Sequence, residues 1–217
     1  MNNNVLRIKK NVHQGENSDI IGNVEILPDD VTTGVIQLTG DININGNLTI
    51  TTGGGVGLGA SPGSGLITGD LTLLPGSEMQ VEFAGADPGT GFDFLEVGCT
   101  ANLDGKLTMS LIDEYVPDNG EAFLFLKAGA LVGSFEEVEQ DSLGWKRRFD
   151  VTSGAEGLTA TMQELLISSY ADWRGAFFSA TEVADDLISG VTADPDSDGI
   201  VNLAEYISGG LPETPSL

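Results

Sequence analysis

The chain is short of cations, cysteine, histidine and long apolar runs. Nine Lys and Arg stand against 33 Asp and Glu, a formal charge of −24 over 217 residues. A surface so negative repels polyanions, which excludes nucleic acid and an anionic membrane face as partners and favours cations. The one cysteine, Cys99, cannot close an internal disulfide, and its neighbours Val97, Ala101 and Leu103 predict a small buried hydrophobe. With His13 the only histidine, neither a histidine-based metal centre nor a Ser-His-Asp triad is expected. No stretch approaches the roughly 18 apolar residues that span a bilayer, so no membrane insertion is expected. The first ten residues hold no apolar run, so no secretory signal is visible in this chain. Abundant Thr, Asn and Gly with few Lys nevertheless point to a secreted or cell-surface protein.

Glycine is plentiful: thirty residues with no G-X-Y period, which excludes collagen and predicts many turns. From about Val24 to Met162 short period-two alternation dominates. Ile42 and Ile44 alternate with Asn43 and Asn45, Leu48 and Ile50 flank Thr49, and Met79, Val81 and Phe83 alternate with Gln80 and Glu82. Leu107, Met109 and Leu111, then Phe123 and Phe125, continue the pattern. Each run predicts a strand with one buried face. Gly46-Asn-Leu-Thr-Ile50, Gly69-Asp-Leu-Thr-Leu73 and Gly105-Lys-Leu-Thr-Met109 share one form, as do Leu38-Thr-Gly-Asp41 and Ile67-Thr-Gly-Asp70. Recurrence at such intervals predicts stacked units, hence a β-solenoid, with a hairpin-built β-sandwich as the alternative.

The segments Gly69–Ser77, Pro88-Gly-Thr-Gly-Phe-Asp-Phe-Leu-Glu-Val97 and Leu131-Val-Gly-Ser-Phe135 resemble the passenger regions of secreted bacterial surface proteins, which carry autotransporter-associated β-strand repeats. The resemblance covers roughly residues 35–162; it implies a right-handed parallel β-helix and no chemistry. The expected organisation is a β-solenoid body over 1–162, its first 23 residues an N-terminal strand or arm, and a helical appendage over 163–217.

After Met162 the pattern changes. Ser169-Tyr-Ala-Asp172 and Ser179-Ala-Thr-Glu182 fit helix-capping starts, predicting short helices near 170–178 and 180–188 with Trp173, Phe177, Phe178, Val183 and Leu187 buried. These aromatics are expected to dock the appendage onto the β-body. From Glu182 to Glu213 there are eight acids and no base.

Within that stretch, Asp194-Pro-Asp196-Ser-Asp198-Gly199-Ile200-Val-Asn202-Leu-Ala-Glu205 matches the twelve-position calcium loop. Carboxylates occupy positions 1, 3 and 5, a glycine turns the chain at 6, and the Ile200 carbonyl falls at 7. Asn202 stands at 9 and Glu205 at 12, where it can bind through both oxygens. Ca²⁺ takes six to eight hard oxygens, and alternate residues on a tight loop converge on one centre. Pro195 disfavours a helix ending at Asp194, so a paired sensor EF-hand is not expected. The segment resembles the D-P-D-x-D-G-x-x-N-x-x-E-Y calcium segments near the ends of secreted bacterial proteins, akin to dockerin and thrombospondin type 3 loops, but with one copy where a dockerin has two. A helix should begin near Asn202, turn Leu203, Tyr206 and Ile207 inward, and stop at Gly209-Gly210 and Pro212. The ion's role is expected to be structural.

Other signals carry less. Gly55-Val-Gly57-Leu-Gly59-Ala60 lacks the following helix of a nucleotide site and reads as a flexible loop. Acidic pairs such as Asp29/Asp30, Asp113/Glu114, Glu136/Glu137/Glu139 and Asp185/Asp186 arise by chance in so acidic a chain, and Lys146-Arg147-Arg148 reads as a solvated turn. The expected function is a non-enzymatic, adhesin-like extracellular scaffold stabilised by calcium, able to join copies of itself through exposed solenoid edges into a fibre or layer. The alternative is a carbohydrate-binding or polysaccharide-degrading β-helix protein, with Trp145, Trp173 and the tyrosines offering a glycan or cell surface a contact.

Overall fold

The computed structural model describes residues 5–9, 12–14, 19–27, 36–40, 42–58, 62–141, 147–165, 167, 169–208 and 212. Alternating apolar residues give the early strands β1 (Val5–Ile8), β2 (Val12–Gln14), β3 (Ile20–Ile21), β4 (Asn23–Ile26), β5 (Ile36–Gly40) and β6 (Ile42–Asn45). Next come β7 (Leu48–Ile50), β8 (Gly54–Gly57), β9 (Ser64–Ile67), β10 (Leu71–Leu73), β11 (Glu78–Phe83) and β12 (Phe94–Leu103). The last are β13 (Lys106–Leu111), β14 (Ala122–Gly133), β15 (Glu137–Gln140), β16 (Arg147–Ser153) and β17 (Gly157–Glu164). Four helices follow: α1 (Tyr170–Phe177), α2 (Ala180–Val183), α3 (Asp186–Ser189) and α4 (Asn202–Ser208). The chain is mainly β. It divides into two units, Met1–Asp141 with Asp150–Thr161, and Ser142–Phe149 with Met162–Leu217.

In the first unit the strands up to β9 pair in parallel with the strand three places on, and from β10 to β13, where β12 and β14 are long enough to serve two series, with the strand two places on. One series runs β1-β4-β7-β10-β12-β14 and a second β2-β5-β8-β11-β13-β15. A third runs β3-β6-β9 and ends on the front of β12. Among the described residues the exception is the end of the first sheet, where β17 runs antiparallel to the front half of β14 and is followed by β16. This register stacks like on like: Val24, Leu48, Leu71 and Ala101 lie in one column, and Ile26, Ile50 and Leu73 in the next. All seven are buried. Each Leu or Ile so buried is worth about 1.5–3 kcal/mol.

The glycine repeat has a physical origin in the corners. Asn23 Oδ1 accepts from Asn47 N at 3.0 Å, Asn47 Oδ1 from Asp70 N at 2.8 Å, and Asp70 Oδ1 from Thr100 N at 3.0 Å. Corner backbones lie so close that a Cβ on Gly69 would collide with Asn47 Oδ1 and the Gly46 carbonyl. The copies starting at Gly46 and Gly69 therefore stack, Leu48 on Leu71. The third copy does not: Leu107 sits in the other sheet, against Met79, and the position below Leu71 is taken by Ala101. A glycine corner followed by a strand is the form any corner takes, so the motif marks corners without saying which column they join.

Three expectations are overturned. Cys99 is exposed. It lies where the β12–β14 register shifts between Val97 and Thr100, and such a bulge breaks the alternation that predicted burial. The glycine-rich stretch expected to be a loop contains β8, a fully buried strand paired with β5 and β11. A Cβ on Gly54 would press on Ile26 and Ile50, so glycine is what lets that strand enter. Arg147 and Arg148, expected in a turn, open β16; Lys146 lies outside the described residues, as do Asp29 and Asp30.

Candidate metal centre

The second unit is built around Trp173, fully buried on α1. Tyr170, Phe177, Phe178 and Tyr206 surround it with ring centroids 5.3, 5.8, 5.9 and 6.1 Å away. The aromatics expected as docking residues thus pack on one another and join α1 to α4. Ser169 and Ser179 cap α1 and α2, the latter in a full capping box with Glu182. The single helix expected over 180–188 is two, because Asp185 leaves helical geometry and caps α3 through Leu187 N. That interruption resets the helical phase, and Leu187, expected to be buried, is 88% exposed.

The twelve-residue loop lies between α3 and α4. No helix leads into it, as Pro195 predicts; residues 190–201 are turn and coil. Its base is closed by Asn202 N donating to the Ala193 carbonyl at 2.8 Å and Leu203 N to the Val191 carbonyl at 3.2 Å. Gly199 takes φ +92°, the sharp turn required at position 6. Gly199 N donates to Asp194 Oδ2 at 3.0 Å, Ile200 N to Asp198 Oδ1 at 2.6 Å, and Asp198 N to Asp196 Oδ1 at 3.4 Å. Each aspartate thereby spends one oxygen holding the loop's curl. Ligand atoms of Asp194, Asp196 and Asp198 all lie within 4.8 Å of one another.

Asn202 and Glu205 complete the arrangement from α4. Their spacing of three puts them on one helical face, and both are fully buried. Asn202 Nδ2 donates to the Ile188 and Gly190 carbonyls at 2.8 and 3.1 Å, which ties the loop's exit to the end of α3. Leu203 and Ile207, expected to face inward, are exposed instead. The buried face of α4 is its polar one, because it is turned by Asn202 and Glu205. Gly209-Gly210, expected to stop this helix, and Trp145 lie outside the described residues.

Buried oxygens without a partner identify what the site can do. Seven buried side-chain polar atoms among the described residues lack a hydrogen bond, and five belong here: Asp194 Oδ1, Asp196 Oδ2, Asn202 Oδ1 and both oxygens of Glu205. Burial pushes the Glu205 carboxyl up to about 7, with the negative charges of Asp196, Asp198 and Asp194 adding to it. Asp196 is pushed up by the same causes, burial first. Such a group of unsatisfied, mutually repelling oxygens is costly without a cation. Three single carboxylate oxygens, two from Glu205, the Ile200 carbonyl and Asn202 or a water total seven, within the shell a hard divalent ion takes.

Arg174, the nearest base in sequence, is engaged elsewhere. It donates to Ser189 Oγ at 2.7 Å and Asp186 Oδ1 at 3.0 Å and also to the Val183 carbonyl, while Ser189 Oγ donates to the Glu182 carbonyl. This knot ties α1, α2 and α3 together, and no sequence motif announces it. No protein family, curated protein or solved structure matches the chain.

Proposed function

We propose that the chain is a non-enzymatic extracellular scaffold: a right-handed parallel β-helix followed by a helical segment that a structural Ca²⁺ locks. The β-helix reading is supported by the three parallel series, in which each strand meets the second or third strand along, and by the right-handed preference of parallel crossovers. One observation carries the calcium reading: Glu205 is 0% exposed, yet both its oxygens lack a partner and the three loop aspartates bear on it. A shell of about seven protein oxygens suits Ca²⁺ better than Mg²⁺, which demands tight octahedral geometry and keeps its waters.

A calorimetric titration of the whole chain tests this. Ca²⁺ should bind one to one and raise the melting temperature, Mg²⁺ should bind far more weakly, and Glu205→Gln should abolish the calcium heat. Melting curves that overlay in calcium and in chelator would defeat the reading.

A further inference from the structure

We propose that Asn119 is a site of spontaneous covalent modification. The backbone nitrogen of Gly120 closes on its side-chain amide, ammonia leaves, and water opens the ring to aspartate or isoaspartate.

The chain holds two Asn-Gly pairs, Asn45-Gly46 and Asn119-Gly120. In sequence they are equivalent, since a glycine without Cβ leaves the nitrogen after each asparagine unshielded. The fold makes them different.

Asn119 and Gly120 are both exposed, in the loop between β13 and β14. They are the two central residues of a turn, which Glu121 N closes by donating to the Asp118 carbonyl at 3.0 Å. That bond runs through Glu121 N and does not depend on Gly120 N. Gly120 takes φ +84°, and a Cβ placed on it would meet nothing within 4 Å. The shoulders of the turn are held by one carboxylate: Tyr115 Oη donates to Glu121 Oε1 at 2.6 Å and Asp118 N to Glu121 Oε2 at 2.8 Å. Asn119 and Gly120 stand at the apex, and exposed loop tips are where a backbone most readily turns. Rotation of the one peptide between them brings Gly120 N towards Asn119 Cγ.

The other pair is locked. Asn45 ends β6; its carbonyl accepts from Gly22 N at 3.0 Å and its Oδ1 from Thr68 Oγ1 at 3.2 Å. The Gly46 carbonyl accepts from Gly69 N at 2.9 Å, and a Cβ on Gly46 would overlap the Gly22 carbonyl. Neighbouring strands and corners grip this peptide on both sides, so its nitrogen does not swing to Cγ.

The chemistry needs only water. A solvent base takes the Gly120 N–H proton, the nitrogen's electron pair forms a bond to Asn119 Cγ, and the Cγ–Nδ2 bond breaks. The amide nitrogen leaves as ammonia with a proton from water. Water then adds across either C–N bond of the five-membered imide, and no electron is gained or lost overall. The product sets a carboxylate between Asp118 and Glu121; in the isoaspartate form the backbone runs through Cβ and Cγ, which lengthens the turn.

Mass spectrometry of the whole chain, incubated folded with calcium in mildly alkaline buffer, tests the proposal. Asn119 is the sole side-chain amide in the tryptic peptide Leu107–Lys127, so a mass gain there reads this residue, and labelling by a protein-isoaspartate methyltransferase reads the rearranged form. Asn119 should react at least about tenfold faster than Asn45, located by fragment ions, in the folded chain. In denaturant the two should react alike, and Asn119→Gln, whose longer side chain does not close the five-membered ring, should lose both mass gain and label. Equal rates at Asn45 and Asn119 in the folded chain overturn the proposal. So does a folded Leu107–Lys127 peptide that stays unchanged while the denatured one has reacted.

Discussion

Two buried carboxyls in this chain are pushed up to about 7, and they differ in what faces them. Asp93 has both oxygens filled, Oδ1 by Gly63 N at 2.7 Å and Oδ2 by Glu82 N at 2.9 Å, and burial outweighs those two donors. Glu205 has neither oxygen filled. The first is a structural clamp that holds the chain before β9 to β11; the second is the group that the proposed cation would satisfy. Asp93→Asn presents an NH₂ to one of the two N–H groups and should cost about 1–3 kcal/mol in chemical denaturation. The pH sign follows from a carboxyl whose folded value lies above its unfolded one of 3.8. Its contribution to stability is complete below about pH 4 and is lost as pH rises through about 7. The gap between wild type and Asp93→Asn should therefore narrow from pH 5 to pH 8; a gap that widens contradicts the assignment. Glu205→Gln should invert with the ion. In chelator it should melt no lower than wild type, because it removes a buried charge from three others, and in about 1 mM calcium it should melt lower by the equivalent of about 1–3 kcal/mol.

At the scale of elements, exposure separates side chains that look alike in sequence. Trp173 and Leu187 were both expected in one buried stripe, yet the first is fully buried among four aromatic rings and the second is exposed beyond the Asp185 break. Trp173→Ala should cost about 3–5 kcal/mol in unfolding of the helical unit, whereas Leu187→Ser should change it by no more than about 0.5 kcal/mol. The corner ladder makes a parallel case. Asn47 both donates its backbone N–H to Asn23 and accepts from Asp70 N, so Asn47→Ala strands a part-buried N–H and should destabilise by about 1–3 kcal/mol. An effect below a few tenths in thermal melts would mean that corner packing, not the ladder, joins neighbouring turns of the chain.

For the whole molecule, the two units have different sources of stability. The strand columns are stacked aliphatic and aromatic side chains, with Phe83, Phe92 and Phe123 in mutual contact at 5.0–6.2 Å. On the proposed calcium reading, chelator should leave them intact. The helical unit has three helices of seven residues or fewer and a loop of crowded acids, and helices that short do not stand on propensity alone. Hydrogen exchange with and without chelator should show protection lost across 170–208 and kept across 42–133. Uniform loss would mean that the ion stabilises the body as well.

Patterns local in sequence were legible before any coordinates. Alternation named β6, β7, β11, β13 and the front of β14 but missed β8, the S-x-x-[DE] signals placed both helix caps, and the spacing of Asp194, Asp196, Asp198, Gly199, Asn202 and Glu205 put one residue type at each position of one curled loop. Those features depend on neighbours within a dozen residues, where backbone geometry is nearly determined by residue type. What only the tertiary structure decided was which column each strand joins, which face of α4 is buried and where Cys99 points. The third glycine repeat joined a different sheet, and α4 turned its polar side inward, because both depend on partners 14 to 30 positions away that no local period encodes.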